Sequence, residues 1–207
     1  MKAMLYRNLL LSKRMLWLTP VYTLIYLYMF KNPLSVIASS FFVASYMFLL
    51  TVFAYEEQAK ATAFNKALPV KIGTVVAGYY VTMLLVLLYM LVWVMLILKV
   101  YASFVPTVPT VGLSDIVMSL AMVLVIASVQ LPIIIRFGAA KTRIINLIIL
   151  MVFIGALFFV TAVIDSLVVG MGANINLLCG GMLLTASLIY TLSGVISTGI
   201  YRRKESD

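Results

Sequence analysis

Apolar residues run along this chain in long unbroken blocks, with no alternation of period two and few polar interruptions. The blocks are Met15–Phe30, Leu34–Tyr55, Thr74–Leu98, Ser114–Ile135, Ile144–Ile164 and Leu178–Ile200. Each approaches the roughly 20 residues that a helix needs to cross a bilayer. The pattern therefore predicts an all-α polytopic membrane protein with six transmembrane helices in a single domain, residues 1–207. Polar breaks mark the turns. Lys31-Asn32-Pro33 makes the first a tight hairpin, and Pro106, Pro109 and Gly112 make the loop after Lys99 read as extended. Residues 1–14 mix Met4, Leu5, Leu9 and Leu10 with Lys2, Arg7, Lys13 and Arg14, which predicts an N-terminal helix lying in the membrane interface.

Composition supports the same solvent. Of the 207 residues 65% are hydrophobic and only 10% charged, whereas a soluble domain carries about 25% charged residues. The net charge of +9 is explained by its distribution. Lys2, Arg7, Lys13, Arg14, Lys60, Lys66, Lys71, Arg136, Lys141, Arg143, Arg202, Arg203 and Lys204 share one side of a six-span topology; Lys31 and Lys99 hold the other. Basic residues favour the cytoplasmic side, so both termini are expected inside. The charge then serves topology and contact with anionic lipid, not nucleic acid.

Several chemistries are excluded by what the chain lacks. There is no histidine and one cysteine, Cys179. Zinc sites of the Cys/His kind, Ser-His proteolysis and internal disulfides are thereby ruled out. Glu56-Glu57 resembles the double glutamate of CAAX-type membrane proteases, but those also need histidine. No phosphate-binding loop and no dinucleotide fingerprint occurs. Any energy must come from another chain.

Two inner loops carry the most information. The first, 56–73, reads EEQAKATAFNKALPVKIG. Glu56 and Glu57 precede Lys60 at helical spacing, Phe64 and Leu68 share a face, and Pro69 and Gly73 end the segment. This predicts a short amphipathic helix that rests on lipid or docks into a groove of a soluble partner. The second, Leu131–Arg143, reads LPIIIRFGAAKTR, a basic turn with Pro132 and Gly138.

Together these motifs resemble the ABC-2 type transporter permeases, in particular the small six-span class that includes exporters of phenol-soluble modulins and antimicrobial peptides. Glu56-Glu57 matches the acidic pair that ends their second span. Ala67-Leu68-Pro69-Val70-Lys71 matches a following Ser-Leu-Pro-basic motif with alanine in the serine's place, and Tyr79-Tyr80 follows. Leu131-Pro132, Arg136-Phe137-Gly138, Lys141 and Arg143 match the later motif. A tryptophan common in the first loop is missing. The resemblance implies a permease subunit in a bacterial cell membrane. It implies pairing with a second permease, as homodimer or heterodimer, and with a separate ATPase that holds ATP and magnesium; this chain itself holds no cofactor. It implies a coupling role for Glu56, Glu57, Lys60, Phe64, Leu68, Pro69 and Lys71. Hydrophobic or amphipathic cargo would leave by alternating access. The main rival is the substrate-binding membrane subunit of a vitamin importer. That rival needs polar anchors outside, where only Asp115, Asp165, Asn174 and Asn176 stand. An intramembrane enzyme would need a carboxylate or cysteine cluster that the spans lack.

Overall fold

The structure, a computed structural model, describes residues 2–30, 33–58, 72–104, 111–171 and 175–206. These residues form helices α1 (Lys2–Met29), α2 (Pro33–Gln58), α3 (Ile72–Phe104), α4 (Leu113–Met171) and α5 (Ile175–Ser206), and among them there is no strand. Four stretches are long and apolar enough to cross a membrane: Leu34–Gln58, Ile72–Ser103, Leu113–Thr142 and Leu177–Arg203. Two shorter apolar stretches, Met15–Met29 and Ile144–Phe153, stand where the remaining expected spans lie. The protein is a polytopic all-α membrane protein.

α2 is the centre of the bundle. It packs on α1, α3 and α4, and 72% of its most apolar window is buried, against 22% for α5. Its buried residues Ile37, Phe41, Ala44, Phe48 and Val52 recur every three or four positions, on one helical face. They meet Tyr79, Met83, Val86, Met90 and Val94 of α3 and Val123, Ala127, Leu131 and Ile134 of α4. Lipid is as apolar as leucine, so contact between helices must come from close packing. The small residues Ala38, Ser39, Ser40, Ala44 and Ser45 provide it, all buried. Their hydroxyls need no outside partner: Ser40 and Ser45 donate to the carbonyls of Val36 and Phe41, each at 2.7 Å. The outer surface is apolar too. Trp17, Val21, Leu24 and Tyr28 of α1 and Leu188, Leu192 and Val195 of α5 are exposed, as a bilayer requires.

Three boundaries differ from the sequence reading. The basic segment 2–14 and the first span are one continuous helix with Pro20 inside. The segment is anchored to the bundle because Asn8 and Ser12 are fully buried. The expected second inner turn is reduced to a single residue. α4 is two helical arms, 113–137 and 139–171, joined at Gly138 with φ 79° and ψ 174°. Only a residue without a β-carbon adopts that conformation cheaply. The second arm also runs to Met171, beyond the expected end of the fifth span at Ile164.

Candidate functional site: the acidic pair at the end of the second helix

α2 ends in Glu56, Glu57 and Gln58. A helix rotates about 100° per residue, so adjacent glutamates face different neighbours, and here each finds one. Glu56 is buried, at 8% exposure. Its carboxylate accepts the Tyr79 hydroxyl at 2.7 and 2.9 Å and pairs with the Arg7 guanidinium. Tyr79 is held by the Phe53 ring, 4.8 Å away between centroids. Beside this pair, Asn8 Nδ2 donates to Thr82 Oγ1 at 3.4 Å, and Thr82 donates to the Gly78 carbonyl at 2.6 Å. Met4 lies against Gly78. One carboxylate thus ties α2 to both α1 and α3.

Glu57 reaches the other way. Its Oε1 accepts the Ala139 N–H at 2.6 Å. Ala139 opens the second arm of α4, where the first backbone N–H groups have no partner within the helix. A carboxylate there satisfies one donor and complements the positive end of the helix dipole. Gly138 makes the approach possible, because a β-carbon at that position would fall on Glu57 Oε1. Thr142 donates back to the Gly138 carbonyl and closes the first turn.

The later motif is placed around this joint. Arg136 and Phe137 are exposed, with the guanidinium 5.3 Å over the ring centroid, and Lys141 is exposed. Arg143 lies in the first turns of the second arm. Pro132 sits inside the first arm. Having no N–H, it leaves the Ser128 carbonyl without the usual donor four residues on. Ser193 of α5 supplies that donor at 2.5 Å. Ser193 also shares a 2.7 Å hydrogen bond with the Tyr80 hydroxyl, which lies 2.8 Å from Ser197 Oγ; Tyr190 donates to the Tyr80 carbonyl at 2.9 Å. The proline thus opens a polar link among α3, α4 and α5. Replacing Ser193 by Ala is expected to lower stability by about 1–2 kcal/mol, the cost of a buried carbonyl left unpaired. Adding Pro132→Ala restores an N–H to Ser128, and thermal unfolding in detergent should then recover at least half of the loss. No recovery would mean that Pro132 does not create the vacancy.

The structure brings Glu56, Glu57 and Gly138 together and leaves Arg136, Phe137 and Lys141 on the adjoining surface. Lys60, Phe64, Leu68, Pro69 and Lys71 lie outside the described residues. Sequence reasoning passed over Asn8, took Arg7 for a topogenic charge, and noted Tyr79 and Tyr80 without giving them partners.

A bundle of long apolar helices with buried polar ties at one end defines an integral membrane protein. Residues 3–202 match the family described as ABC-2 family transporter protein. The match covers nearly the whole chain, so the chain belongs to the ABC-2 family, as the membrane-embedded permease of an ABC transporter. No curated protein and no solved structure matches it.

Proposed function

We propose that this permease is one of two membrane subunits of an ATP-driven exporter, and that segment 56–73 receives the stroke of a separate ATPase. The carrying observation is the acidic pair. The chain leaves α2 directly after Glu56, Glu57 and Gln58, and these carboxylates hold α1, α3 and the second arm of α4 at the same point. A displacement of the following segment reaches all of them at once. The basic bias puts this end and both termini on the cytoplasmic side, where ATP is available. Export of hydrophobic or amphipathic cargo, peptides among them, fits a bundle whose interior and surface are both apolar. The ATPase and its magnesium nucleotide supply the energy; this subunit performs no catalysis itself and changes the cargo's access from one face to the other.

The apolar pair Phe64 and Leu68 is the docking face in this reading. Each large apolar side chain buried in a partner groove contributes roughly 1.5–3 kcal/mol. Phe64→Asp or Leu68→Asp should therefore leave the permease folded and weaken ATPase binding by about tenfold or more. Copurification of the ATPase, with hydrolysis measured in the presence and absence of permease, checks this. Full recovery with normal stimulation would remove this segment from the coupling path.

A further inference from the structure

A cavity of about 230 Å³ opens between α1, α2 and the second arm of α4. Its walls include Tyr22 and Tyr26 of α1 and Phe42, Tyr46 and Met47 of α2. The aromatic walls are braced. Phe42 stacks on Phe153 at 4.4 Å between centroids and on Tyr46 at 6.4 Å. One further wall residue differs in kind: Asn146, which is 2% exposed. Its Oδ1 has no hydrogen-bond partner among the described residues.

Depth makes that acceptor costly. Asn146 lies eight residues beyond the Gly138 joint, or about 12 Å at 1.5 Å per residue, in a hydrocarbon layer about 30 Å thick. Phe42–Met47 occupies the middle of the 26-residue α2. Polar side chains at such depth are expensive and mark pathways or binding sites. An unpaired buried carbonyl oxygen costs about 1–3 kcal/mol, and a ligand that donates a hydrogen bond removes that cost.

The walls narrow the ligand's chemistry. Among the described residues no charged side chain lines the cavity, so a phosphate or ammonium group would find no counter-charge among them. Tyrosine, phenylalanine and methionine suit a hydrocarbon or aromatic chain. Tyr22, Tyr26, Tyr46 and Met47 are each only half-buried, so the cavity is reached from the membrane-facing surface of the bundle. At this volume it takes a chain segment, since whole drug-sized sites begin near 300 Å³.

We propose that this cavity binds an uncharged, chain-bearing amphiphile that enters from the bilayer and donates a hydrogen bond to Asn146 Oδ1. The inference goes beyond ATPase coupling and is tested without the ATPase. The full permease in nanodiscs is photolabelled with a long-chain primary alcohol that carries a diazirine in its chain, and separately with the matching methyl ether, which cannot donate. Labelled residues are mapped by mass spectrometry. Peptides containing Tyr22, Tyr26, Tyr46 and Met47 should be labelled about fivefold more by the alcohol, as one hydrogen bond implies. That difference should vanish in Asn146→Leu. Equal labelling by alcohol and ether in the wild-type protein overturns the proposal without relying on any variant. So does labelling confined to the exposed face of α5 around Leu188 and Leu192, or an alcohol preference that survives in Asn146→Leu.

Discussion

Gly138→Ala is expected to abolish permease-dependent stimulation of the ATPase and to lower stability by about 2–4 kcal/mol, through two additive causes. The backbone at Gly138 has φ 79° and ψ 174°, a region essentially reserved for glycine that costs an L-residue about 1–3 kcal/mol. The new β-carbon also falls on Glu57 Oε1. That oxygen ends a flexible side chain, so the carboxylate moves away rather than the backbone. Moving it releases the Ala139 N–H, and losing such a cap costs about 0.5–2 kcal/mol. The two causes are separable. Glu57→Ala alone should cost only the cap. Gly138→Ala placed in that background should then cost only the backbone conformation, so the pair is non-additive in a double-mutant cycle. Unfolding in detergent measures the stability, and hydrolysis by the reconstituted complex measures the coupling. Strict additivity would mean that Glu57 and Gly138 act independently.

How far this joint was legible from sequence depends on distance along the chain. The helices were, because unbroken apolar runs in a chain with 10% charged residues leave little alternative. Glu56-Glu57 and Pro132 with Gly138 stood out through family motifs. Their partners did not. Glu57 and Ala139 are 82 residues apart, and Ser193 and Ser128 are 65 apart. Nothing local in either segment specifies the other. Acidic residues at the end of a span look solvated, and Arg7 looks like one more topogenic charge, until packing brings them together. The continuity of α4 was hidden for a different reason. Charges and a glycine at 136–143 imitate a loop, yet a single left-handed residue suffices to join two helices. Asn146 did leave a signal, one amide in the run Ile-Ile-Asn-Leu-Ile-Ile. An apolar run draws attention to its length before its exception.

Glu56 holds the second large effect. Glu56→Leu leaves the Tyr79 hydroxyl buried without its acceptor and the Arg7 guanidinium without its counter-charge. Breaking a fully buried pair costs about 3–5 kcal/mol. The Arg7 side chain, at 33% exposure against 9% for Glu56, can reach solvent, so about 2–3 kcal/mol is the expected loss here. Glu56→Gln should cost less, since an amide oxygen still accepts from Tyr79. Removing every member of the cluster is a different experiment. Arg7→Met, Glu56→Leu and Tyr79→Phe together remove the ion pair and the tyrosine hydroxyl that Glu56 accepts, and replacing a buried ion pair by apolar residues is often neutral or stabilising. The triple variant should therefore unfold at or above the wild-type temperature. Transport should nonetheless fall, because α1 would follow the end of α2 only through non-directional contacts after its charged tie is gone. Stability and coupling thus move in opposite directions in one protein. A triple variant that is stable and transports at the wild-type rate would reduce the Arg7–Glu56–Tyr79 cluster to a packing device. A stable variant with idle ATPase stimulation would place it on the path from nucleotide to membrane.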